Sequence, residues 1–435
     1  MEYAFNMSQP ISGLKFCSVD TKSNFKVAIL TASFALPLNS DTAANALLPG
    51  LLKRTCKKYP TLTQMNRHLA SLYGAMVSGG VGKDGENQIL TLRVTVLEDR
   101  FSLSEEKISS AAADLLLDLI FEPNLVDGKF AEEDIEREKR LMIEQIESEL
   151  NDKRYYALKR CTEIMCENEV YSLSRWGEIE DIKSLDSSRL IKAWKNMLSS
   201  AIVHIGVTGS MNADVVRSRF EQKFEDIDRS RLADLHTEFI TSAYETKRVR
   251  EEMPVKQGKL VLGMRAGMTD ADDNYVAIKV MCDIFGGGVY SKLFNNVREK
   301  MSLCYYCSAG YNRSKGLIMV QSGIENENEQ KAIDAILAQL EDIQKGNFTD
   351  DELDASIKGL TSLALGVCDT PEGIDRWYGG QMLDSDVITP EEYAEQIAAI
   401  TREQVIAAAQ CVTLDTVYML AGTGTEDDEE GEVNE

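Results

Sequence analysis

Hydrophobic and polar positions along the chain fall into the same succession twice. An apolar stretch at 25–34 is followed by a helical period, then by strand-like stretches at 75–81 and 88–96 around the polar turn 82–87. In the second half the order returns as 259–266, a helical period, and strands at 303–311 and 316–324 around the turn 312–315. Two helices then follow in each half, predicted at 105–121 and 132–149, and at 327–345 and 350–367. Strands joined by short turns and then covered by helices indicate an α+β domain built on an antiparallel sheet.

Matching the halves residue by residue makes the repetition explicit. IKSLDSSRLIKA at 182–193 leads through a helix into the apolar strand 202–207 and ends at Thr208 and Gly209. IAAITREQVIAA at 397–408 leads in the same way through 417–421 to Thr423 and Gly424, at a constant offset of 215. Upstream, FAEEDIE at 130–136 matches FTDDELD at 348–354, each an acidic helix start suited to the positive end of the helix dipole. The chain is therefore a tandem duplication, with domains expected at 1–222 and 257–425 and a polar, charged linker at 223–256.

Composition narrows the function. A length of 435 residues exceeds one ordinary core, and 43% hydrophobic content supports full folding. The net charge of −24 argues against partners that need a basic surface, namely nucleic acid and anionic membrane, and leaves a basic peptide partner compatible. Seven of the last ten residues, 426–435, are carboxylates, so this tail is expected to be disordered. No cationic leader or membrane-length apolar run is found, which points to a soluble, cytoplasmic protein. The nine cysteines are scattered. Cys304 and Cys307 form a CxxC with no second pair nearby to complete a metal site, and ordinary reduced thiols are expected.

The segment GGGVYSKLFNNVREKMSLCY, from Gly286 to Tyr305, resembles the second-domain signature of the insulinase, pitrilysin and mitochondrial processing peptidase family. The duplicated halves extend the resemblance over nearly the whole chain. It implies two tandem homologous domains, each an antiparallel β-sheet covered by helices, forming a LuxS/processing-peptidase-like clamshell half. Active members are zinc peptidases with an inverted HxxEH motif on the first helix of the first half. Two histidines on one helix face bind the metal, the adjacent glutamate acts on its water, and a later glutamate completes the ligand set. Here the matching positions hold Asn45 and Pro49 for the histidines and Leu48 for the glutamate, with Glu136 at the position of the third ligand. His68, His204 and His236 lie elsewhere and do not restore the site. No metal is expected in this chain.

The resemblance also carries over an arginine and a tyrosine that, in active members, reach the zinc-bearing half from the second domain; Arg298 and Tyr305 match them. Such a cation holds a peptide carbonyl or carboxyl group, and a phenol donates to the developing oxyanion. Gly286, Gly287 and Gly288 are candidates for approach to a substrate backbone, or simply for a tight turn. The expectation is a zinc-less subunit of a heterodimeric peptidase, paired with a homologous HxxEH-bearing chain that holds the zinc, acting on peptides. A non-enzymatic scaffold or peptide-binding protein of the same fold is the alternative, and homodimers could form without the partner.

Overall fold

In a computed structural model, which describes residues 3–268 and 275–423, the strands assemble into two sheets. The first half supplies β1 (Ala4–Ile11), β2 (Leu14–Asp20), β3 (Val27–Pro37), β4 (Met76–Asp84), β5 (Asn87–Leu97) and β6 (Ile202–Thr208). They are ordered β1-β2-β6-β3-β5-β4. The second half supplies β7 (Lys247–Met253), β8 (Gly258–Arg265), β9 (Cys304–Asn312), β10 (Leu317–Ile324) and β11 (Thr413–Gly422), ordered β7-β11-β8-β10-β9. Setting β2 to β6 in the order β2-β6-β3-β5-β4 against the second sheet reproduces the duplication strand for strand, with β1 added at one edge.

The antiparallel expectation holds for the core of each sheet and needs one correction in each. β2 pairs with β6 in parallel, and β7 pairs with β11 in parallel. The expected linker 223–256 also contains β7. Its sequence, KRVREEM, is charged, yet it alternates between exposed and half-buried positions, and Val249 and Met253 pack inward. An edge strand tolerates such charges because one of its hydrogen-bonding sides is open.

Local chemistry sets the boundaries. The predicted turn 82–87 shrinks to two residues, since Asp84 already pairs with Asn87, and Gly85 takes the left-handed φ of 54° that so tight a hairpin requires. The helix expected from 105 begins at Ile108, because Glu105 sits at φ 59°, outside the helical range. The other three helices run Glu132–Asn151, Glu329–Gln344 and Asp350–Gly366. The acidic tail 426–435 lies outside the described residues.

The chain forms two compact units that do not follow the sequence halves. Unit 1 comprises Met1–Ile146, Leu173–His236 and Leu365–Pro390; unit 2 comprises Glu147–Ser172, Thr237–Ala364 and Glu391–Glu435. Each sheet thus receives a helix from the other half. In unit 1 the helix Pro371–Gly379 lies on β3 and β6, where the buried Asp375 carboxylate accepts from Thr31 at 3.0 Å and pairs with Arg93 at 2.6 Å. In unit 2 the helix Lys153–Met165 packs Ala157 and Cys161 against Val261, Tyr418 and Leu420.

Unit 2 also buries a charge network. Arg265 pairs with Glu169 at 2.7 Å and with Asp415 at 2.8 Å, and Lys315 reaches the second Glu169 oxygen at 2.7 Å. Burial works to raise the Glu169 carboxyl, and hydrogen bonds from Arg265 and Lys315 outweigh it, leaving the group below its ordinary value.

Candidate functional site

The degenerate metal segment lies on the helix Thr42–Leu52 in unit 1. Asn45, Leu48 and Pro49 are all buried on it. Pro49 has no N–H to donate to the carbonyl of Asn45, and the Asn45 Oδ1 is itself a buried acceptor without a partner. A Cβ added at Gly79 on β4 would fall 2.8 Å from the Pro49 carbonyl oxygen, so strand and helix are in close contact where a metal ligand would need room. An amide, a hydrocarbon and a ring without donor atoms do not fit zinc. Among the described residues no group of three metal-ligating side chains gathers anywhere.

On the later acidic helix Glu136 and its neighbour Glu138 face different surroundings. Glu136 is 58% exposed and pairs with Lys139. Glu138 is the carboxylate that meets the degenerate helix: its Oε2 lies 2.5 Å from where a Cβ would project at Gly50, and it pairs with Arg54 at 3.4 Å. Spacing alone did not separate these two residues; the heptad-like burial of Ile135, Glu138, Met142 and Ile146 does.

Arg298 and Tyr305 belong to unit 2, on two consecutive elements. Residues Leu293–Lys300 wind as a π-helix, closed by the Met301 N–H donating to the Asn296 carbonyl at 3.0 Å. Such helices are rare and recur at functional positions. The Arg298 guanidinium lies over the Phe294 ring at 4.6 Å and 3.7 Å from the Glu299 carboxylate, with its side chain 39% exposed. Ser302, at φ 52°, reverses the chain and donates its N–H to the Arg298 carbonyl at 3.1 Å. Two residues later β9 begins.

The opening of β9 is irregular at the decisive residue. Tyr306 opposes Gly323 and Cys304 opposes Ile324, so Tyr305 is the extra residue of a β-bulge. Bulges re-aim side chains, and this one turns Tyr305 outward. Tyr305 is 68% exposed, and its hydroxyl has no hydrogen-bond partner among the described residues. Tyr306, by contrast, packs beneath Arg154 at 4.1 Å, and burial pushes its phenol up to about 12. Of the two adjacent tyrosines, Tyr305 is the exposed one.

The glycine triplet supports this arrangement from behind. A Cβ at Gly286 would fall 2.5 Å from the Ala309 nitrogen on β9, and one at Gly287 would fall 2.1 Å from Asp283 Oδ1. Close packing within the chain therefore accounts for both glycines. The nearest atoms to a Cβ at Gly288 belong to the Tyr290 side chain, the first at 3.0 Å. The buried Asp283 accepts from Tyr290 at 2.7 Å and from Ser356 at 2.6 Å, tying the triplet to the helix Asp350–Gly366. These anchors carry no motif in the sequence.

Known proteins share the sequence and the fold of this chain. Residues 184–360 match the family described as the peptidase M16 inactive domain. The chain is 30% identical over 424 residues to the probable inactive metalloprotease YmfF of Bacillus subtilis, covering 97% of this chain and 99% of that protein. The chain belongs to the M16 peptidase family. Within M16 it is an inactive-type member, consistent with the loss of the zinc-binding histidines. Solved M16-like folds superpose over nearly its whole length. A conserved protein from Enterococcus faecalis gives a TM-score of 0.87 at 26% identity, covering 97% of this chain and 100% of that one. An M16 inactive domain from Pseudomonas fluorescens gives 0.77 at 17% identity, covering 98% and 100%. Among the described residues of this M16 chain, no helix is long and apolar enough to cross a membrane.

Proposed function

We propose that this chain is the zinc-less subunit of a two-chain M16 peptidase, lending Arg298 and Tyr305 to the active site of a homologous HxxEH-bearing partner that holds the zinc. The observation that carries the reading is the presentation of this pair. A π-helix and a β-bulge, two uncommon irregularities, carry one part-exposed cation and one exposed phenol seven residues apart. A scaffold has no evident use for either. In this reading 1–222 and 257–425 are the two peptidase-like domains, the substrate is a peptide, and the protein works in the cytoplasm. The guanidinium holds a carbonyl or carboxyl of the peptide, and the phenol donates to the oxyanion that forms as the scissile carbonyl is attacked. Because Gly286 and Gly287 are spent on internal packing, Gly288 is the member of the triplet left for substrate contact.

The test is reconstitution. Alone, the purified chain shows no peptidase activity; mixed with the HxxEH-bearing chain, it creates one. Arg298→Ala and Tyr305→Phe then each lower kcat/KM by about 100-fold, the scale of losing one oxyanion donor. Unchanged activity in both variants would defeat the shared-site reading in favour of the scaffold.

A further inference from the structure

The bulge at Tyr305 has a second effect, on the two cysteines that flank it. In a regular strand, residues three apart point to opposite faces. Here Cys304 opposes Ile324 and Cys307 opposes Ser322, so the extra residue brings both thiols to one face, only two register steps apart. Two strand rises of about 3.3 Å place their Cα atoms about 6.6 Å apart, at the upper end of the range of about 4.4–6.8 Å that a disulfide spans. The surroundings differentiate the two sulfurs. A hydrogen bond from Cys307 brings the Cys304 thiol down to about 7 against the effect of burial, with help from Ser322 and the nearby Arg298 charge. Cys307 is buried and its thiol is held up by the same contact. Cys304 is half-buried and reachable, whereas burial raises Cys17, Cys166 and Cys282 to about 12.

We propose that Cys304 and Cys307 are a peroxide-oxidisable dithiol, a modification site in which Cys304 is the attacking thiol and Cys307 the resolving one. The site stands independently of the peptidase reading. The Cys304 thiolate attacks hydrogen peroxide, forming an S–O bond as the O–O bond breaks; the departing hydroxide takes a proton and leaves as water. Cys307 then gives up its proton and attacks the Cys304 sulfur, forming the S–S bond and releasing the second water. The two thiols lose two electrons, and the peroxide is reduced to two waters. At pH 7 a thiol brought from 9.0 to about 7 has about fifty times the thiolate fraction, and lower nucleophilicity takes back about eightfold, so Cys304 reacts about six times faster than an ordinary thiol.

The full-length chain is treated with a small molar excess of hydrogen peroxide, and free thiols are counted and tryptic peptides weighed over time. The expected result is a loss of two of nine thiols, with the peptide Met301–Arg313 lighter by two hydrogens and restored by dithiothreitol. Cys307→Ser stops at a sulfenic acid on Cys304 that dimedone traps, and Cys304→Ser leaves Cys307 unoxidised on the same timescale. The proposal is overturned if Cys304 in the unsubstituted chain oxidises no faster than Cys368 and Cys411. It is equally overturned if the mass change appears in any other peptide first.

Discussion

His204 supplies a direct test of how the first sheet is built. It lies in β6, 3% exposed, between Lys15 on β2 and Ser33 on β3, and its Nδ1 has no hydrogen-bond partner. Burial, with the Lys15 charge adding to it, lowers the imidazole from 6.5 to about 4. The unfolded chain therefore takes up a proton on His204 between pH 6.5 and 4 that the folded chain refuses. Stability contributed by the neutral ring is intact above pH 6.5 and is lost as pH falls through that window. At pH 5 the loss is about 1.5 pK units at 1.36 kcal/mol each, or about 2 kcal/mol. His204→Gln removes the titration while keeping a polar side chain, so any packing cost is common to both pH values. All three tryptophans, Trp176, Trp194 and Trp377, belong to unit 1, so intrinsic fluorescence during urea unfolding reports the unit that contains His204. Between pH 7.5 and 5.0 the unsubstituted chain should lose about 2 kcal/mol more than the variant. Equal losses, or a His204 proton resonance that titrates near 6.5, would refute the reasoning.

Other sites give sharper structural contrasts. Glu169→Gln removes the carboxylate that Arg265 and Lys315 share and leaves Asp415 as the anionic partner of Arg265, and should destabilise unit 2 by about 3–5 kcal/mol, read as a loss of far-UV ellipticity at lower denaturant. Gly286→Ala drives a methyl into the Ala309 backbone and should cost about 1–3 kcal/mol in the same measurement. Gly310→Ala, with nothing within 4 Å of the added Cβ, should leave the transition unchanged.

Much of this was legible in the residues because it is local. The alternation in β5 and the continuous apolar run of β3 place those strands to within three residues, and the acidic starts at 132 and 350 place two helices. The strand β7 was not legible, since an edge strand carrying five charges looks like a linker until Val249 and Met253 find their partners. Arg298 and Tyr305 stood out by motif, but they sit on a π-helix, closed by the Met301 N–H on the Asn296 carbonyl, and on a bulge that depends on the register of β9 against β10. Glu138 was obscured by Glu136 for a similar reason: burial on the helix face and packing against Gly50 distinguish them.

The exchange of helices between halves bears on how the protein is made. When a ribosome has delivered residue 236, every strand of the first sheet exists, yet β3 and β6 lack the helix that covers them. That helix, Pro371–Gly379, is more than a hundred residues away, and its anchor joins Thr31 to Asp375 across 344 positions. At roughly 5–20 residues per second the first sheet waits on the order of ten seconds with the face around Thr31 uncovered. A gene cut between the halves would yield two fragments that complete each other, and neither would be a finished domain by itself.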